Sequence, residues 1–100
     1  AGISTNVVGD VADTDPRHRA LLAWVLRESV TNVVRHAHAT TVSVELTRTG
    51  LVVADDGAGF EATGAREGNG LRGMRERVSA AGGTLEISGA LGTRLQVVLP

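Results

Sequence analysis

The stretch Thr41-Val42-Ser43-Val44-Glu45-Leu46-Thr47-Arg48-Thr49-Gly50-Leu51-Val52-Val53-Ala54-Asp55-Asp56 decides the fold. Val42, Val44 and Leu46 alternate with Ser43 and Glu45, the period-two pattern of a half-buried strand over 41–47. Thr49-Gly50 reads as a turn and Leu51-Val52-Val53-Ala54 as a second apolar strand, so the two form a hairpin. Upstream, 4–9 reads as a short strand and 9–15 as a loop. Asp15-Pro16 has the form of an N-cap followed by proline at the first helical position. From there to about His36, Leu22, Trp24, Val25, Leu26, Ser29, Val30, Val33 and Val34 supply the apolar and small positions of a long helix with no glycine in it. Downstream, 57–70 is glycine-rich, polar and aperiodic. Loops of that length are uncommon inside compact domains and usually functional. A second helix is predicted over 71–81, closed by Gly82-Gly83, and two more strands over 84–88 and 93–99 around a turn at 89–92. This order predicts an α+β fold: a two-layer α/β sandwich, with helices packed on one face of a mixed, mostly antiparallel sheet.

The chain has 100 residues, 42% hydrophobic and 21% charged, which makes 1–100 a single domain. A domain of this size buries roughly 60–70% of the surface its unfolded chain exposes. There is no cysteine, which excludes disulfides, thiolate zinc sites and cysteine nucleophiles. The net charge of −1 is not that of a non-specific nucleic-acid binder, and the two aromatics, Trp24 and Phe60, do not make a base-stacking platform. All ten basic residues are arginines. A Walker A loop and Schiff-base chemistry both need a lysine, so both are excluded. No apolar run approaches the roughly 20 residues of a membrane span, and no leader-like segment opens the chain.

Three constellations carry chemistry. Glu28, Asn32 and His36 are spaced by four and share one helix face, offset from the Val25/Ser29/Val33 stripe. This also describes an ordinary solvated face, but a mid-helix asparagine has poor helix propensity, and its oxygen suits Mg²⁺, which takes one or two protein oxygens and completes its shell with phosphates and water. Asp55-Asp56-Gly57-Ala58-Gly59-Phe60 ends a hydrophobic strand with no strand after it, which fits a hairpin turn poorly. A strand-end carboxylate there can accept a hydrogen bond from a ligand amine, and the glycines let the backbone approach a flat ring. Gly68-Asn69-Gly70-Leu71-Arg72-Gly73 matches G-x-G-x-x-G literally. A dinucleotide fingerprint needs a hydrophobic strand just before it; residues 61–67 are not one, and no crossover of the right length to a parallel strand follows. What remains is a glycine-rich loop feeding a helix N-terminus, where free amides and the helix dipole favour phosphate. No G-x-S-x-G is present, and His36-x-His38 is too little for a zinc site.

In this order, E-x-x-x-N-x-x-x-H, D-G-x-G-F and G-x-G-L-x-x-M resemble the ATP-binding domain of sensor histidine kinases, in the gyrase/Hsp90/histidine kinase/MutL ATPase superfamily with its Bergerat-type fold. Asn32-Val33-Val34-Arg35-His36-Ala37, the run from Gly70 to Arg77, and the ending from Gly92 to Pro100 look like the branch that partners NarL-type response regulators and includes the nitrate sensors and DesK. The resemblance covers about 4–100. It implies that Asn32 holds Mg²⁺, that Glu28 matches the carboxylate that orients or deprotonates water in related ATPases, and that His36 lies near the phosphates. It implies that Asp56 accepts a hydrogen bond from the adenine amine, with Gly57 and Gly59 shaping the pocket. Residues 61–67 would form the lid, Gly68 and Gly70 would wrap the phosphates, and Leu71 and Met74 would wall the site. Thr93 matches a threonine that supports the adenine-binding aspartate.

The cofactors implied are ATP and Mg²⁺. The family's phosphoacceptor histidine sits on a dimerising helix pair that this sequence does not contain. His18 is followed by Arg19, not by an acidic residue, and does not read as the acceptor. The chain is therefore expected to be an excised catalytic domain that binds ATP without phosphorylating itself. Its expected partners are the parent protein's own dimerisation and phosphoacceptor domain, in a homodimer, and a NarL-type response regulator, with no direct nucleic-acid binding. The expected location is cytoplasmic, with or without membrane anchoring of the parent. The alternatives are an anti-sigma-factor serine kinase of the same fold and a degenerate nucleotide-binding interaction module.

Overall fold

The computed structural model describes residues 3–36, 39–57, 69–89 and 92–100. Five strands form one sheet: β1 (Ser4–Val8), β2 (Thr41–Leu46), β3 (Gly50–Asp55), β4 (Thr84–Ser88) and β5 (Arg94–Val98), in the spatial order β1-β2-β3-β5-β4. Two helices, α1 (Arg19–His36) and α2 (Asn69–Ala80), complete the expected α+β sandwich. β1 pairs parallel to β2, and the β2–β3, β3–β5 and β4–β5 pairs are antiparallel. The predicted hairpin is present, with Leu46 opposite Leu51 and Thr47 N–H donating to the Gly50 carbonyl at 3.0 Å.

Alternation sets the two faces. Val42, Val44, Leu46, Leu51, Val53, Leu85, Leu95 and Val97 are buried, and they meet Leu22, Val25 and Val33 of α1 and Leu71, Met74 and Val78 of α2 in one apolar core. The intervening Thr41, Ser43 and Glu45 are exposed. Both helices therefore cover the same face.

This has a topological consequence. β3 and β4 each run antiparallel to β5, so they are parallel to each other, and α2 joins them by a crossover that leaves a gap for β5. No such crossover is legible in the sequence, because the two strands are not neighbours. β1 and β3 run in opposite directions, yet both crossovers advance the same way across the sheet with their helices on one face. The two crossovers are thus of opposite hand, and one has the left-handed sense that parallel β–α–β connections almost never take.

The boundaries differ from expectation in two places. α1 begins at Arg19, not Pro16. Asp15 accepts the Arg17 N–H at 2.9 Å and ion-pairs with its guanidinium at 2.9 Å, and residues 16–18 form a turn before the helix. Asp15 N–H in turn donates to the Arg48 carbonyl at 2.7 Å, which fastens this turn to the β2–β3 hairpin. The expected loop 9–15 contains a short 3₁₀ turn, Val11–Asp13, capped by the Asp10 carboxylate. The end of α2 is as predicted. Gly82 has φ +83°, Gly82 N–H reaches the Ser79 carbonyl at 2.9 Å and Gly83 N–H reaches that of Val78 at 3.0 Å, the paired bonds of a Schellman cap. His18 is buried, and its Nε2 donates to the Pro100 carbonyl at 3.1 Å. Among the described residues no helix is long and apolar enough to cross a membrane.

The core assignment has a direct consequence. Leu51→Ala, at a fully buried central-strand position, is expected to lower unfolding free energy in urea by about 2–5 kcal/mol. Val98→Ala, at a position 50% exposed, is expected to change it by less than about 0.5 kcal/mol.

Candidate functional site

α1 presents its polar positions beside its buried stripe. Leu22, Val25, Ser29 and Val33 are buried, Glu28 is half-buried and Asn32 is exposed. Ser29 Oγ lies 3.9 Å from Met74 Sδ, which ties this helix to α2 directly beneath the Glu28/Asn32 face. His36 is the last residue of α1; its side chain lies outside the described residues. Among the described residues there is no cluster of three or more histidines, cysteines or carboxylates that could cage a metal. A lone exposed carboxamide one turn from a carboxylate fits Mg²⁺ brought in with phosphates and water, and does not fit a cation held by protein alone.

The end of β3 separates the two aspartates. Asp55 continues the parity of the buried Leu51 and Val53, so it falls on the helix-covered face. Its N–H donates to the Thr93 carbonyl at 2.9 Å, and its Oδ1 accepts Gly57 N–H at 2.8 Å. Asp56 is engaged elsewhere. Its Oδ1 accepts the backbone N–H groups of Thr40 and Thr41, both at 2.8 Å, and its Oδ2 accepts the Thr40 hydroxyl at 2.5 Å. The carboxylate expected to meet an adenine amine is thus bonded to Thr40 and Thr41 in this structure. Both oxygens hold the connection between α1 and β2, and the carboxylate on the helix side is Asp55. Period-two alternation from Leu51 and Val53 is the sequence signal that puts Asp55, and not Asp56, on the helix-covered face.

Thr93, expected to support Asp56, instead accepts the Asp55 N–H through its backbone carbonyl. The approach depends on Gly92, a buried residue at φ +91°. A Cβ there would run into the Asp55 carbonyl oxygen and come within 3.3 Å of the Asp56 Cα. Gly92 was not singled out as a site residue in the sequence, because Gly-Thr after a short turn has no pattern of its own.

α2 begins at Asn69, two residues earlier than expected, so Gly70 lies in its first turn. Amides of a first turn lack intrahelical partners. Leu71 and Met74 are buried in the core, Met74 completely, and would form the floor of a site between helices and sheet. Gly57 is described and half-buried. Gly59, Gly68 and the expected lid over 61–67 lie outside the described residues. The structure thus joins Asp55, Gly57 and Thr93 by direct hydrogen bonds. It sets the α1 face and the start of α2 on the same side of the sheet.

The profile of the histidine kinase-, DNA gyrase B-, and HSP90-like ATPases matches residues 18–100. The chain belongs to this ATPase family. Among curated relatives it is 46% identical over 86 residues to the signal transduction histidine-protein kinase/phosphatase UhpB of Salmonella typhimurium, covering 82% of this chain and 17% of that protein. It is 39% identical over 85 residues to the sensor histidine kinase DesK of Bacillus subtilis, covering 80% and 23%, and 49% identical over 86 residues to the sensor histidine kinase NarS of Mycobacterium tuberculosis, covering 76% and 20%. The chain thus spans about a fifth of the length of these relatives. Among solved structures, the histidine kinase domain of an Erythrobacter litoralis blue-light activated histidine kinase superposes with a TM-score of 0.77 at 22% identity, over 98% of this chain and 51% of that one. The ATP-binding domain of PrrB from Mycobacterium tuberculosis gives 0.68 at 23%, over 98% and 80%. At those identities the structural likeness establishes the fold, and the family profile establishes this as a nucleotide-using ATPase domain.

In this ATPase domain the Thr40 hydroxyl, then the Thr41 and Thr40 amides, hold the Asp56 carboxyl well below the usual carboxylate range. The bound carboxylate favours the folded state, so its contribution is complete above the unfolded value of roughly 4 and is lost as pH falls further toward the folded value. Thermal melts should therefore show Asp56→Asn less stable than wild type at pH 6, with a smaller loss between pH 5 and pH 3 than the wild type suffers.

Proposed function

We propose that this chain is the catalytic, ATP-binding domain of a bacterial sensor histidine kinase. In the parent protein, the bond from the ATP γ-phosphorus to the bridging oxygen breaks and a bond to an imidazole nitrogen of a separate phosphoacceptor domain forms, releasing ADP. The phosphoryl group then passes from that nitrogen to a carboxylate oxygen of a response regulator. The proposal includes a homodimeric parent, a NarL-type regulator and a cytoplasmic location. The observation that carries it is Asp55: a strand-end residue on the helix-covered face, its carboxylate held by the Gly57 N–H and its backbone N–H by the Thr93 carbonyl, in a chain whose family uses ATP.

On this reading Asp55 takes the adenine amine, the role the sequence reading gave to Asp56. Gly57 and Gly59 shape the purine pocket, with Leu71 and Met74 beneath it. Asn32 is the protein ligand for Mg²⁺, which when bound neutralises phosphate charge and orients the γ-phosphoryl group. Gly68 and Gly70 supply amides to the phosphates, His36 adds a nearby donor, and Glu28 positions the attacking group. Phosphoryl transfer needs positioning and charge neutralisation more than covalent chemistry from the protein, so a site without lysine is adequate. The serine-kinase and degenerate-module alternatives are not favoured, because the relatives reported above are named as sensor histidine kinases.

Calorimetry on this chain is expected to give adenine-selective binding that strengthens with Mg²⁺. Asp55→Ala should lose ATP binding, by more than about 100-fold, with the melting temperature little changed, since a buried-side polar contact to ligand is removed. ATP affinity within about threefold of wild type would refute the adenine role. Asn32→Ala should weaken binding by about tenfold with Mg²⁺ and little in EDTA; equal losses in both would refute the metal role.

A further inference from the structure

With Asp55 proposed for the adenine, the geometry of Asp56 points to another role. We infer that the Asp56 carboxylate is a positioning clasp that locks the segment following α1 to the end of β3, and so sets the spacing between the metal-side and adenine-side halves of the nucleotide site. This rests on the placement of Asn32 and Asp55 proposed above.

The clasp is densely made for an exposed carboxylate. It accepts two backbone N–H groups and one hydroxyl from Thr40 and Thr41, and Asp56 N–H returns a bond to the Thr41 carbonyl at 3.3 Å. Thr40 is also a junction, because its carbonyl accepts Ser4 N–H at 2.9 Å and brings in β1. A carboxylate accepting several N–H and O–H donors is a strong, directional restraint even where water reaches it.

Among the described residues, side-chain packing adds little here. Among the side chains described in α1, Val33 is the last buried one; Val34, at 63% exposure, and Arg35 face solvent. Between Val33 and Val42 no described residue is buried, and Ala39 only half so. Among the described side chains, none after Val33 in the last turn of α1 is buried. Among the described residues, the next hydrogen-bonded attachment along the chain is Thr40, and its partner is the residue adjacent to Asp55. Asp55 is secured independently, by pairing with Val42 in the sheet and by its bond to Thr93. Releasing Asp56 thus leaves the adenine carboxylate in place and loosens the start of β2, to which the metal-bearing helix connects.

The test is calorimetric titration of this chain with ATP, in Mg²⁺ and in EDTA, for wild type, Asp56→Asn, Thr40→Val and the double variant, below their melting temperatures. Thr40→Val keeps both backbone bonds and serves if Asp56→Asn folds poorly. The clasp predicts that each single variant weakens Mg²⁺·ATP binding by about tenfold for Asp56→Asn and less for Thr40→Val, with EDTA binding within about twofold of wild type. It also predicts that the double variant is no weaker than Asp56→Asn alone, since both break one interaction. Unchanged Mg²⁺·ATP affinity in folded Asp56→Asn and Thr40→Val overturns the clasp and leaves the nucleotide site standing. Equal losses in Mg²⁺ and EDTA overturn it also, because the adenine side then moves with Asp56. A wild-type chain that binds no ATP overturns the nucleotide reading and the clasp with it.

Discussion

Alternation along β3 is the constraint on which the rest of the molecule depends. Leu51 and Val53 must face the helices, because they are the centre of the only apolar core among the described residues. A strand has a period of two, so that demand carries on to the strand's end and fixes Asp55 on the helix side. The same geometry excludes its neighbour, and Asp56 becomes available to bind the connection from α1. One hydrophobic requirement therefore places two adjacent carboxylates in two different surroundings.

The sheet order extends this logic. β5 lies between β3 and β4, which places Thr93, at its start, against Asp55. A buried glycine at 92 is what makes the approach possible, since any side chain there would meet the Asp55 carbonyl. Both helices are kept on one face although one crossover must then take the disfavoured hand. The contact of Ser29 with Met74 and the shared core show what that arrangement achieves. It brings the polar face of α1 and the first turn of α2 to the side of the sheet where Asp55 ends β3.

Most of the fold was legible in the sequence, because each element has a strong local signal. The alternation of Val42, Val44 and Leu46, the glycine-free run through α1 and the Gly82-Gly83 stop all correspond to observed elements. The start of α1 was not legible: Asp15-Pro16 resembles a helix cap, and only the Arg48 carbonyl and the Arg17 side chain, 33 and two residues from Asp15, draw it into a separate turn. The insertion of β5 between β3 and β4 is a long-range pairing with no local trace. In the site, Asn32 and Glu28 could be placed from helical spacing alone. The choice between Asp55 and Asp56 could have been made from alternation, but the bonds from Thr40 and Thr41 join residues 15 or 16 apart and no spacing announces them.

The central claim is that nucleotide binds between the helices and the sheet, against Asp55. Backbone amide NMR during titration with Mg²⁺·ATP tests it most directly. The account predicts that the largest shifts fall on Asp55, Gly57, Thr93, Asn32 and the first turn of α2, with Ser43, Glu45 and Gln96 on the uncovered sheet face unmoved. Shifts concentrated on that uncovered face, with Asp55 and Thr93 unmoved, would contradict it.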